Sequence, residues 1–220
     1  MRLHVVGDSV PAGYGLDGPS DAAWPARLPE HVAALTPERV TVDASTGRTL
    51  RDCADRLTAD TLAEQFDSSD DGAGSGGDAA ETGDHVVLVH AGHNDAQLSG
   101  GEPRVSETEF NETATELDAR LADSDRVARH AFVGMVPLLP LDRPGTIPVG
   151  DEHPARALAY DDLLAETVGT HLRVVLGGEA DADGAPSTLD DWREWTADGV
   201  HPGPAGHDFL AREVARWLGD

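Results

Sequence analysis

The apolar positions of this chain fall into two rhythms. Short, nearly unbroken runs occur at Leu3–Val6, Val86–Val89, Phe132–Val136 and Val174–Leu176, and a more alternating one at Val40–Val42. Continuous valine-rich runs of this length predict strands covered on both faces, as in a parallel sheet. Between them the spacing turns helical. Phe110, Ala114, Leu117 and Leu121 fall at i, i+4, i+7 and i+11, with Ser106 and Glu109 set as a capping box ahead of them. Leu210, Val214, Trp217 and Leu218 give the last segment an apolar stripe. Strands alternating with helices predict right-handed crossovers and a three-layer α/β/α sandwich in one domain spanning 1–220.

Two segments break the pattern. Asp67 to Gly83 reads DSSDDGAGSGGDAAETG and lacks any large apolar residue, so it is expected to be a flexible acidic surface insertion. Pro137 to Pro154 carries five prolines and is expected to form one wall of a cleft. Cys53 is the single cysteine, which excludes an intrachain disulfide; with Leu50, Ala54 and Leu57 it reads as a small core residue. The apolar run Ala131–Leu141 contains Gly134, Pro137 and Pro140 and is too short to span a bilayer.

Charge narrows the partners. The 220 residues carry 41 acidic against 16 basic side chains, a formal net charge of −25, and every basic one of the 16 is arginine. Such a surface repels nucleic acid and anionic membrane. It resembles the surfaces of proteins from salt-loving organisms. At about 1 M salt the Debye length is about 3 Å, so self-repulsion is largely screened. With MRLHVVGDS at the start and no charged-then-apolar leader, a cytoplasmic, high-salt location is expected; the sequence leaves the oligomeric state open, with a monomer favoured over an oligomer.

Ligands of open α/β sheets bind at the carboxyl ends of the strands. Four polar stretches are placed there: Gly7-Asp8-Ser9-Val10, Ala44-Ser45-Thr46-Gly47-Arg48-Thr49, Gly92-His93-Asn94-Asp95 and Asp198-Gly199-Val200-His201-Pro202. Ser9 alone is either a turn residue or a nucleophile. A serine hydroxyl needs a base, histidine suits that task, and the histidine needs a carboxylate. Asp198 and His201, three residues apart, can supply both. A tetrahedral intermediate also needs donors. The backbone N–H groups of Ser9 and Gly47 and the amide of Asn94 are candidates.

GDSV, the glycine of STGRT, GHND and DGVHP, followed by HPGPAGH into the last helix, resemble the four blocks of the SGNH hydrolase superfamily, the GDSL-type esterases and lipases. The resemblance runs from residue 3 to about 215. It implies a flavodoxin-like sandwich with a five-stranded parallel sheet and a Ser9–His201–Asp198 triad. It also implies an oxyanion hole of Ser9, Gly47 and Asn94, with no cofactor or metal. Val10 stands in place of the leucine of the family name. Asp43 stands where many members carry asparagine, which bears on the placement of Gly47. The expected activity is cleavage of a small carboxylic ester, with short acyl or acetyl groups, through an acyl-enzyme.

Other readings stay beside this one. A metal-dependent phosphoesterase also uses Asp, His and Asn at strand ends, but its pattern asks for GNH[DE] where this chain has GHND. A non-catalytic binding module of the same fold is the third reading. His90 and His93 suggest a metal pair, although His90, inside a strand, reads as a core histidine. Asp8 and Asp95 are expected to bond local backbone, and Trp192 and Trp195 to pack beneath the loop of Asp198 rather than stack on substrate.

Overall fold

The computed structural model describes residues 1–67, 85–141, 153–175 and 188–219. Its elements follow in order: β1 (Arg2–Gly7), α1 (Pro19–Ala22), α2 (Trp24–His31), β2 (Val40–Ala44), α3 (Leu50–Arg56), α4 (Ala59–Asp67), β3 (His85–His90) and α5 (His93–Ala96). The hairpin β4 (Leu98–Ser99) and β5 (Glu102–Pro103) comes next, then α6 (Glu107–Ala122), β6 (Val127–Val133), α7 (His153–Thr167), β7 (His171–Leu172), α8 (Leu189–Trp195) and α9 (Pro204–Gly219). Five strands form one sheet in the order β2-β1-β3-β6-β7, and every pairing in it is parallel. The strand order reverses between β1 and β3. That is the place where α/β sheets open a crevice at their carboxyl edge.

Side chains alternate across the sheet and feed two cores. Val6, Val87 and Val89 pack with Leu50, Leu57, Phe110, Leu117 and Tyr160 from α3, α6 and α7. Leu3, Val5, Val86 and Leu88 pack on the opposite face with Trp24, Leu28, Trp192, Leu210 and Val214 from α2, α8 and α9. The sandwich is therefore three-layered, as the pattern predicts. Cys53 lies in the first core, fully buried, and burial pushes its thiol far above the usual range. Ser106 caps α6 by accepting from Glu109 N.

Two strand predictions need correction. The run Phe132–Val136 is a strand only to Val133, and β6 instead begins six residues earlier than Val133, at Val127. The ladder is left because side chains take over the backbone donors. Met135 N donates to Asp161 Oδ1 at 2.8 Å and Val136 N to His93 Nε2 at 2.9 Å. Among the described residues the last strand is His171–Leu172, just ahead of the expected run Val174–Leu176, of which Val175 still takes part in a single bridge. Its register, Phe132 opposite His171 and Val133 opposite Leu172, ends where β6 ends; Val174 and Val175 are buried beyond it, and Leu176 lies outside the described residues. The acidic segment Asp67–Gly83 lies outside them too, apart from its first residue, as does most of the proline-rich loop.

Candidate active site

Strand β1 ends on Gly7 because only a residue without a side chain fits there. A Cβ would lie 2.3 Å from the His90 carbonyl oxygen. Asp8 N also donates to that carbonyl at 3.2 Å, binding the turn to the end of β3. Asp8 Oδ1 accepts from Val10 N at 3.0 Å, and the turn holds Ser9 at the carboxyl edge of the sheet.

Ser9 Oγ meets His201 Nε2 at 2.9 Å, and His201 Nδ1 meets Asp198 Oδ2 at 2.7 Å. The three groups come from opposite ends of the chain, 192 residues apart. Ser9 is 4% and His201 9% exposed, so the chain of hydrogen bonds runs largely out of water. The carboxylate of Asp198 is fixed on its other oxygen, Oδ1, by Val200 N at 2.9 Å and His201 N at 2.8 Å. Burial works against ionisation of Asp198, but these backbone donors and His201 outweigh it and hold the carboxyl well below the usual range. Thr196 secures the loop: its hydroxyl donates to the His201 carbonyl at 2.7 Å and accepts from Gly199 N at 3.0 Å. The exposed Tyr14 ring lies 4.4 Å from the imidazole of His201, centroid to centroid.

Asn94 stands at the start of α5, 7% exposed. Its Nδ2 donates to the Arg48 carbonyl at 2.9 Å, and its Oδ1 accepts from Arg104 Nη1 at 3.1 Å. Gly47 adopts φ of +84°, a left-handed turn open to the surroundings. Its carbonyl accepts from Arg104 Nη2 at 3.2 Å. The second and third sequence blocks thus meet at one guanidinium. Asp43 braces the same loop through Arg48 and Arg56, each at 2.8 Å.

The remaining polar residues hold this edge together. Asp8 Oδ2 meets His93 Nδ1 at 2.6 Å, and His93 Nε2 accepts from Val136 N. That second bond sets the proton of the ring on Nδ1, facing Asp8. Burial is the largest influence on Asp8 and opposes its charge, yet His93, His90 and Val10 N together keep its carboxyl below the ordinary range. Asp95 accepts from Leu50 N, the first residue of α3, at 3.0 Å. Burial, aided by the charge of Asp8, pushes its carboxyl up to about 7. Both aspartates were expected to serve local backbone; Asp8 does so in part, whereas Asp95 and the other half of Asp8 reach across 45 and 85 residues.

His90 and His93 have separate partners. Trp24 Nε1 donates to His90 Nδ1 and Trp24 N to His207 Nδ1, both at 3.1 Å. Burial, with His93 nearby, lowers His90 to about 3, and burial with Arg27 lowers His207 to about 4, so both rings are neutral acceptors at pH 7. His90 is a core histidine, as its place in the strand implies. Among the described residues no group of three or more His, Cys, Asp or Glu is arranged to hold a metal ion. Trp192 is buried and packs against Trp195 and Phe209 beneath the loop. No helix of the described residues is long and apolar enough to cross a membrane.

Sequence reasoning missed Arg104, Thr196 and Asp161. Each acts on a partner that only the folded chain brings near, except Thr196, which sits two residues before Asp198 and is in reach of a local reading.

Comparison with known proteins agrees with this architecture. A catalytic mutant of the acetylxylan esterase of Geobacillus stearothermophilus superposes with a TM-score of 0.66 at 21% identity, over 99% of this chain and 94% of that one. The unmutated enzyme gives 0.64 at 20% identity, over 100% and 94%. An alpha/beta hydrolase enzyme from the metagenome of Lake Arreo, Spain, gives 0.63 at 24% identity, over 99% and 94%. None of the curated protein sequences matches the chain. The sequence profile of the GDSL-like lipase/acylhydrolase family matches residues 5–209, from the strand before Ser9 to the helix after His201. With that span and this fold, the chain belongs to the GDSL-like lipase/acylhydrolase family of the SGNH superfamily and is a carboxylic ester hydrolase.

Proposed function

We propose that the protein is a serine esterase that cleaves short-chain acyl or acetyl esters through an acyl-enzyme. The observation that carries this reading is the unbroken hydrogen-bonded chain from Ser9 Oγ through His201 to Asp198. Ser9 Oγ attacks the ester carbonyl while His201 Nε2 takes its proton. His201 then returns the proton to the departing alcohol, and a water, activated the same way, releases the acid. Asp198 keeps the imidazole proton on Nδ1 and stabilises the charged ring; its backbone donors keep it ionised for that task. The tetrahedral oxyanion is received by Ser9 N, Gly47 N and the amide of Asn94.

The acetyl preference draws support from the acetylxylan esterase among the structural neighbours. The net charge of −25 supports a high-salt cytoplasm as the working environment. A small-molecule ester is the only partner the reading requires. Measuring kcat/KM on p-nitrophenyl esters of increasing acyl length tests the assignment. Acetate is expected to lead, with a steady fall beyond butyrate. A maximum at octanoate or longer contradicts the short-chain assignment.

A further inference from the structure

Asn94 can serve an oxyanion only with its NH2 group, so something must fix which way its amide points. An amide has two donor hydrogens on one end and a bare acceptor on the other. Here one end faces a carbonyl, Arg48 O at 2.9 Å, and the other a cation, Arg104 Nη1 at 3.1 Å. Turning the amide over would set its NH2 against the guanidinium and its oxygen against the carbonyl. Both contacts would then be repulsive. One Nδ2 hydrogen is used on Arg48 O, which leaves the second for a ligand.

The same guanidinium reaches the other side of the hole. Arg104 Nη2 donates to Gly47 O at 3.2 Å, pinning the peptide that follows Gly47 in its left-handed turn. A planar fork is suited to such two-point contact, whereas an ammonium is not. The backbone of Arg104 is itself held. Its N–H donates to Gln97 O at 2.8 Å across the β4–β5 hairpin, and the next residue, the buried Val105, donates to Asp95 O at 3.3 Å. The side chain is exposed, so removing it leaves the core untouched.

We propose that Arg104 is a positioning residue for ester hydrolysis: it holds the Asn94 amide and the Gly47 turn as one preorganised donor pair. The inference rests on the oxyanion role proposed above for those two residues. Losing a true oxyanion donor costs about 100- to 1,000-fold in kcat. Losing the brace, with Arg48 O still orienting the amide, is expected to cost less, about tenfold. KM is expected to change less than about twofold, because the donors act mainly in the transition state.

The test compares Arg104→Ala, Arg104→Lys, Asn94→Ala and the Arg104→Ala/Asn94→Ala double variant on p-nitrophenyl acetate. Arg104→Ala should lose about tenfold in kcat, Arg104→Lys should recover little of it, and added guanidinium ion should restore part of the activity of Arg104→Ala. In the Asn94→Ala background the same change should cost about threefold or less, since most of what it positions is gone. A kcat within twofold of the parent in Arg104→Ala, or an undiminished tenfold loss in the Asn94→Ala background, overturns the inference. Full activity in Asn94→Ala instead overturns the oxyanion reading on which it stands.

Discussion

Asp95 is a carboxyl buried with no exposure at the amino end of α3, and replacing it with asparagine should change how stability responds to pH. Its carboxyl is raised to about 7, chiefly by burial. An unfolded aspartate ionises near 3.9. The folded state therefore binds this proton more tightly than the unfolded chain. Stability from this group is complete below about pH 4, is lost as pH rises towards 7, and levels off above it. At about 1.36 kcal/mol per tenfold change in proton affinity, the full loss is roughly 4 kcal/mol, of which roughly 2–3 kcal/mol falls between pH 5 and pH 8. Asparagine keeps an acceptor for Leu50 N but cannot ionise. The assay is urea unfolding of both proteins at pH 5 and pH 8 at one fixed salt concentration. The stability of Asp95→Asn relative to the parent should improve by roughly 2–3 kcal/mol on going from pH 5 to pH 8. Comparing the two pH values cancels any fixed cost of fitting the amide. Asp8 does not confuse the window, because its carboxyl is held below the ordinary range and its contribution is lost only in stronger acid. A relative stability that stays constant across the two pH values would refute the reasoning.

His93→Ala should be among the costly substitutions. It strips the buried Asp8 carboxylate of its 2.6 Å partner and leaves Val136 N without an acceptor; a loss of roughly 3–5 kcal/mol by urea unfolding is expected, and a loss below about 1 kcal/mol would show that the pair holds little. Melting temperature should rise between 0.1 M and about 2 M KCl, because screening relieves the repulsion among the excess acids, and esterase activity should follow the folded fraction measured by circular dichroism. Equal melting temperatures at both concentrations would remove the support for a high-salt setting.

The parts of this molecule that were legible in its sequence are those encoded locally. The nearly unbroken apolar runs Leu3–Val6 and Val86–Val89 announced β1 and β3, and Ser106 announced the start of α6. The blocks around Ser9, Gly47, Asn94 and His201 could be placed at strand ends because each follows an apolar run or precedes a helix. The ends of β6 and β7 were not legible, since Phe132–Val136 is apolar throughout. What stops the strand is a pair of side chains, Asp161 and His93, that capture the next two backbone donors. Burial of Met135 and Val136 keeps the run apolar although the ladder has ended. The braces behind the site were hidden for a related reason. Arg104, Asp8 and Asp95 gain their roles from partners 10 to 85 residues away, and an isolated arginine or aspartate carries no periodic signal.

The most direct measurement of the central claim is covalent labelling by a fluorophosphonate, followed by peptide mass mapping. The phosphonyl group transfers from its fluoride leaving group to the attacking oxygen, so the adduct marks the nucleophile. One adduct per chain on the peptide containing Ser9 is expected, absent in Ser9→Ala and strongly slowed in His201→Ala. Ester turnover should disappear with it in Ser9→Ala while the circular dichroism spectrum stays unchanged, since a small hydroxyl contributes little packing. An adduct on another residue, or near-normal turnover in Ser9→Ala, would contradict the account.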